Sequence, residues 1–281
     1  MAISNESIVR FSLILYMKFN SLHIKTIQNW LKNFICPIII AFAFVFLLFR
    51  WSYIGTKTVF DKNNLIVHVN RNEKVSDETI LTIVEKCDSL MQAKGIDLKA
   101  KLHIVFCASR TEYNIKTFFR SRNTLAINRT LGSQIIFAPV DFKDGTVTAI
   151  HSSFSNRPIE CVLAHELTHT YERQKLGIIK FATCESWKKE GFAEYVSENS
   201  STNIETATNL FVNQKDYDDS LKVEKKIWEG PFYYFKSRLK TDYLLKYKHI
   251  SEDEFWNTKF DESLLENEIR SSIGDHKYHL N

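Results

Sequence analysis

The chain has 281 residues, 44% of them hydrophobic, which is enough to bury one sizeable core and too apolar for a disordered segment. Its formal charge of +4 resides in the N-terminus: residues 1–54 hold Arg10, Lys18, Lys25, Lys32 and Arg50 against Glu6. The remainder carries 32 basic residues (37 less 5) and 32 acidic ones (33 less 1), so it has no net basic charge to neutralise phosphates, and no nucleic-acid partner is expected.

In chain order, the first feature is the uncharged run Phe34 to Phe49 (FICPIIIAFAFVFLLF), extended by Trp51, Tyr53 and Ile54 past a single Arg50. About 20 helical residues cross a bilayer core, so residues 34–54 are expected to form one transmembrane anchor, with Arg50 snorkelling and Trp30, Trp51 and Tyr53 at the interfaces. Residues 1–33 are then a cytoplasmic leader, within which Met17 is an alternative start. Ala41 and Ala43 lie inside the apolar run and the exit side is bulky, which argues for an uncleaved anchor over a removable signal peptide. Lys18, Lys25 and Lys32 precede the span, against Arg50, Lys57 and Lys62 after it. This arrangement favours a single-pass membrane protein with its main domain outside the cytoplasm, periplasmic or extracellular. Four cysteines follow the span (Cys87, Cys107, Cys161, Cys184); an exported domain would allow two disulfides in three pairings, and none has zinc-finger spacing.

Residues 55–74 read as a polar juxtamembrane linker and 75–281 as the folded domain. Ser76 opens a predicted helix whose apolar residues Ile80, Ile83, Val84, Cys87, Leu90 and Met91 recur at helical spacing, with Gly95 as its stop. Leu102–Ala108 reads as a buried strand, and Ser109-x-x-Glu112 has the form of a capping box at the head of another helix. Gln134–Val140 and Thr146–His151 read as a hairpin turning at Asp144-Gly145. Pro158 begins a helix running to about Gln174, with Gly177 beyond it, and residues 185–199 form the next. The polar stretch 199–226 reads as a loop or lid; residues 231–250 and a segment opened by Ser251 make a helical C-terminal part, about 227–270. The fold class is α+β.

The residues that carry chemistry are His165-Glu166-Leu167-Thr168-His169. Positions four apart share one helix face, so both imidazoles can reach one metal ion, with Glu166 beside them. Catalytic Zn2+ takes three protein ligands and keeps one position for water, and an adjacent carboxylate can act as general base. With twenty residues between His169 and Glu190, the segment Trp187-Lys188-Lys189-Glu190-Gly191-Phe192-Ala193-Glu194-Tyr195 can return an antiparallel helix that presents Glu190 as third ligand. Glu194, four residues on, can accept the free ring N–H of a ligand histidine, His165 being the expected one.

These two motifs resemble those of the gluzincin zinc metallopeptidases, in particular peptidase MA-like families in which HExxH is followed by W-x-x-E-G-x-A-E-Y. The resemblance covers about residues 102–199. It implies a thermolysin-like core in which an edge strand of the upstream sheet, here expected from the hairpin 134–151, binds a peptide or protein substrate in extended form. It also implies a Tyr or His that stabilises an oxyanion, for which Tyr233, Tyr234, Tyr243 and His249 stand in the downstream region. The pair Lys188-Lys189 departs from the pattern, since many relatives have an apolar and a small or polar residue there. His151 is a candidate substrate contact, and Cys161, one turn before His165, is a thiol that either packs or competes for metal. The expectation is therefore a membrane-anchored zinc metallopeptidase with Glu166 as base and His165, His169 and Glu190 as ligands. A non-catalytic zinc-stabilised envelope module and a zinc hydrolase of a non-peptide amide are the alternatives.

Overall fold

The structure is a computed structural model that describes residues 31–62, 64–99, 101–119, 124–129, 133–147, 157–198, 208, 211–212 and 225–274. The chain divides into two units, Met1–Ser52 and Tyr53–Asn281. In the first, a π-helical turn, Leu31–Ile35, runs into helix α1, Cys36–Trp51. Phe34, Ile38, Ile39, Ile40 and Phe42 are exposed. The 16 residues of α1 rise about 24 Å, short of the roughly 30 Å hydrocarbon core. Among the described residues no helix is long and apolar enough to cross a membrane.

The second unit is built on a five-stranded mixed sheet in the order β1-β2-β3-β5-β4: Thr56–Lys62, Leu65–Asn70, Leu102–Phe106, Gln134–Phe137 and Ala126–Arg129. β2, β3 and β5 run parallel, while β1 and β4 close the edges antiparallel. Residues 55–74 are therefore not a linker. The run Leu65-Ile66-Val67-His68-Val69 supplies an inner strand, and the tight turn around Asn64, at φ 62°, joins it to β1. The expected hairpin is also corrected. Gln134–Phe137 is an interior strand, so it offers no edge, and the chain then leaves the sheet to form a small second one from β6 (Val140–Asp141), β7 (Thr146–Val147) and β8 (Arg157–Pro158). The turn at Asp144-Gly145 is present, with Gly145 at φ 66°. Among the described residues both β1 and β4 are outer strands of the large sheet, and β4 is the one that packs beside α4.

The period-two register sorts the large sheet into two faces. Val67, Val69, Ile104, Phe106, Ile135 and Phe137 pair across one face and are buried. Helix α2, Asp77–Gln92, adds Ile80, Ile83, Val84, Cys87 and Met91 to the same core, and its cap Ser76 accepts a hydrogen bond from Thr79 N at 3.1 Å. The long helix α4, Ile159–Thr183, adds Ile159, Val162, Leu163 and Leu167. The opposite face carries His68, His103 and Gln134 beneath Tyr53, and Asn70 beneath helix α3, Arg110–Lys116. Fully burying each aliphatic side chain of the first face stabilises by about 1.5–3 kcal/mol.

Downstream of α4 come α5 (Ser186–Ser197), α6 (Lys225–Asp242) with a π-helical turn at Tyr243–Tyr247, α7 (Glu252–Asn257) and α8 (Glu262–Gly274). α5 packs against α6 so closely that a Cβ on Gly191 would fall inside contact distance of the Ser237 carbonyl and Thr241 Oγ1. That accounts for the glycine after Glu190. No disulfide joins any of the five cysteines; Cys87 and Cys107 are core residues whose thiols burial pushes up in pKa, to about 12 for Cys107. The lid expected at 199–226 and the substrate contact expected at His151 fall largely outside the described residues.

Candidate metal centre

α4 starts where β8 ends. Pro158 caps it with non-helical backbone, and Ile159 N donates to Gly145 O at 2.9 Å. Its apolar residues, at spacings of three and four, bury one face and leave the neighbouring strip, with His165, Glu166 and His169, at the rim of the core. Gly177, at φ 75°, breaks the helix where the sequence predicts its stop, after which one further helical segment leads through Cys184 into α5. α5 returns against α4 and carries Glu190 and Glu194 on successive turns of one face.

The two imidazoles are perpendicular, with ring centroids 4.8 Å apart. His165 Nε2 lies 3.4 Å, and His169 Nε2 3.5 Å, from Glu190 Oε2, and one ligand atom from each residue falls within 4.8 Å of the others. Donors held at about 2.0–2.1 Å around a tetrahedral ion are separated by roughly 3.4 Å, so the donor set and spacing fit zinc. Cys161 is not part of the group.

The far side of each ring faces a carboxylate. His165 Nδ1 is 3.0 Å from Glu194 Oε1, a close electrostatic contact that is poorly aligned as a hydrogen bond. Glu194 is in turn gripped by Arg157, whose Nη1 and Nη2 donate to its two oxygens at 2.9 and 3.1 Å, with both side chains buried. His169 Nδ1 bonds Glu172 Oε2 at 2.9 Å, and Glu172 is fully buried. The sequence reading singled out Glu194 but missed Arg157 and Glu172. Glu172 was legible in principle: three residues after His169, it shares that histidine's face of the helix. Arg157 was not, because only the fold of β8 against α5 brings it there.

Electrostatics follow from this packing. Burial disfavours charge on His165, but Glu190 and Glu194 outweigh it and push the pKa up to about 9; Glu172 and Glu190 raise His169 well above its ordinary value. Burial would raise Glu194, yet Arg157 and His165 hold it down at about 2, and Glu190 is depressed by the two histidines. Glu166, also buried, is shifted upward by desolvation against the pull of His165 and His169. A metal ion must displace the imidazole protons that these carboxylates otherwise retain.

The centre opens into a cavity of about 300 Å³ bounded by Ala126, Ile127 and Asn128 of β4, by Glu166 and Arg173 of α4, by Phe181, by Lys189 and by Tyr234. Asn128 ties the edge strand to the helix: its Nδ2 donates to Glu166 O at 2.5 Å and Thr170 Oγ1 at 2.9 Å. Of the four downstream candidates, only Tyr234 reaches the cavity, its ring 6.1 Å from His165. Tyr233 is exposed, Tyr243 bonds Ser272, and His249 is exposed on the last turn before α7. Lys188 and Lys189 part company. Lys188 is buried, paired with Glu185 at 3.1 Å and lying 5.0 Å from the Phe260 ring centroid, whereas Lys189 turns to the cavity.

No family model matches the chain, and no curated protein matches it significantly.

Proposed function

We propose that this protein is a membrane-anchored zinc metallopeptidase of gluzincin type, with a thermolysin-like core. The observation that carries the reading is the convergence of His165 Nε2 and His169 Nε2 on Glu190 Oε2 while each opposite ring nitrogen faces a buried carboxylate. Orientation of this kind, by carboxylates behind the ligating imidazoles, is what a tightly held metal requires. Zinc held there supplies Lewis acidity and lowers the pKa of water to about 7.

The chain's own groups do the rest. Glu166, at the cavity wall, accepts the proton of the attacking water and returns it to the leaving amine; its raised pKa suits both transfers. Tyr234 keeps its phenolic proton, because burial and the Glu190 and Glu194 charges raise its pKa, and donates to the oxygen that becomes negative. β4 receives the peptide. Ala138 N bonds Leu125 O, so by antiparallel alternation Ile127 pairs inward with Ile136 and the backbone groups of Ala126 and Asn128 point to the open edge. An extended substrate added there lies beside the metal ligands. A structural zinc site closes its fourth position with protein and needs no base, so Glu166 and the open cavity favour an enzyme over an envelope-binding module. Anchorage through residues 34–54, with the C-terminus outside the cytoplasm, is the accompanying proposal on location, checked by a reporter fused after Asn281.

The deciding experiment is metal content together with cleavage of a mixed peptide library. The zinc-loaded chain is expected to hold one zinc and cleave; Glu166→Gln is expected to hold the same zinc and lose about 10²–10⁴-fold in kcat. Full zinc loading without any cleavage would overturn the peptidase reading, and an active Glu166→Gln would overturn the assigned base.

A further inference from the structure

Arg173 stands four residues after His169, as His169 stands four after His165, so the three share one strip of α4. Lys189 immediately precedes Glu190. Both cations line the same cavity as the metal ligands, and the Phe181 ring lies within reach of both: Arg173 Cζ is 5.4 Å and Lys189 Nζ 5.0 Å from its centroid. Both side chains are half-buried.

Their partners are neutral. Arg173 Nη2 bonds Asn128 Oδ1 at 2.6 Å and Thr170 Oγ1 at 3.2 Å, and Lys189 Nζ bonds Phe181 O at 3.2 Å. Among the described residues neither forms an ion pair, although nearby lysines do: Lys188 with Glu185, and Lys175 with Glu252 and Asp253. Arg173 feels the charges of Glu166 and Glu172 without an ion pair to either, Lys189 has no ion pair among the described residues, and the guanidinium still has its Nε and Nη1 donors for a ligand. The carboxylates on the cavity wall, Glu166 and Glu190, are committed to proton transfer and metal.

We propose that Arg173 and Lys189 form a carboxylate-recognising subsite beside the metal ligands, selecting peptides that carry a carboxylate close to the scissile bond. Arg173 offers a carboxylate its charge and the Nε–H and Nη1–H donors that its own bonds leave free, Lys189 adds a second charge, and Phe181 holds the pair in register. The selectivity rests on the peptidase reading above for its consequence, but the recognition itself is a binding property. The carboxylate comes either from an acidic side chain or from the peptide's own C-terminus.

Binding is measured with the full-length, zinc-loaded Glu166→Gln chain in detergent, so that peptides stay intact. Three otherwise identical short peptides are compared: one with Glu and a C-terminal amide, its Gln counterpart with a C-terminal amide, and the Gln counterpart with a free C-terminus. One of the two carboxylate peptides is expected to bind about 10- to 100-fold tighter than the neutral one, and which of them does so identifies the source. The advantage is expected to collapse when Arg173→Gln or Lys189→Gln is added. Among the described residues the one hydrogen bond of Lys189 is to Phe181 O, so its substitution leaves Asn128 in place; unchanged zinc content verifies the fold. Lys189→Glu should transfer the preference to a Lys-bearing peptide. Equal affinity for all three peptides, or a preference that survives both glutamine variants, overturns the subsite. Wild-type cleavage of the same peptides is scored separately: carboxylate-selective binding with no cleavage removes the peptidase reading and leaves the subsite standing.

Discussion

Two pairs of histidines in this protein meet at similar distances and are held in opposite ways. On α4, His165 and His169 turn their Nε2 atoms toward Glu190 and back onto Glu194 and Glu172. On the far face of the sheet, His68 of β2 and His103 of β3 stack at 5.2 Å and 16°, with His68 Nε2 2.9 Å from His103 Nδ1 and Thr58 Oγ1 3.3 Å from His68 Nδ1. Tyr53 covers both rings. The first pair is driven toward charge by its carboxylates, His165 to about 9; in the second, burial and His103 lower His68 to about 4. Acids placed behind and between the rings draw the first pair toward charge, whereas burial and a neighbouring imidazole draw His68 away from it.

The largest way to break this contrast is to remove the convergent donors. His165→Ala, His169→Ala and Glu190→Ala are each expected to lose zinc under conditions that saturate the wild type, read by elemental analysis; retained stoichiometry in any one would strike that residue from the ligand set. The double variant His68→Gln with His103→Gln should leave zinc content unchanged. Removing the backing acids is a subtler test. Glu194→Ala and Glu172→Ala are each expected to weaken zinc by about 10–100-fold in a competitive chelator titration, with Glu172→Gln recovering part of the loss because an amide can still accept from His169 Nδ1. Equal affinity in Glu172→Ala would make that carboxylate a packing group only.

The smallest expected effect concerns His68. His68 has a folded-state pKa of about 4 against an ordinary 6.5, so between these values the unfolded chain binds a proton that the folded one refuses. Its contribution is fully present above pH 6.5 and falls as the pH drops through the window toward 4. Urea unfolding of wild type and His68→Gln at pH 7 and pH 4.5 should show a larger acid loss in the wild type. Identical losses would place the acid sensitivity elsewhere.

Much of the candidate metal centre was legible because it is local. Four-residue spacing on a helix puts His165 and His169 on one face whatever surrounds them, and Glu190 and Glu194 follow the same rule on the next helix. Helix α2 with its Ser76 cap, strand β3 and the short helix after Ser251 were equally readable, since caps and apolar periodicity act within a few residues. β1 and β2 were not, because Leu65–Asn70 is a six-residue run whose pairing partner, β3, lies past an entire helix. The edge strand was misassigned for the same reason. Gln134–Phe137 reads as a strand on its own, Ala126–Arg129 has no apolar pattern that marks it as one, and only the strand order places it outermost beside Gln134–Phe137.

The amino-acid sequence by itself determined that His165, Glu166 and His169 sit together on one helix, since helical geometry is set by the backbone and needs no partner. Tertiary structure alone decided that Arg157 clamps Glu194, that Asn128 fastens the open strand to α4, and that Tyr234 rather than its three rivals faces the cavity. It also separated Lys188, buried among aromatic rings, from Lys189 at the cavity, two neighbours that no one-dimensional pattern distinguishes. The physical reason is common to all four cases. Each depends on the approach of segments distant in the chain, and that approach is fixed by the packing of the whole core rather than by the spacing of residues along one helix or strand.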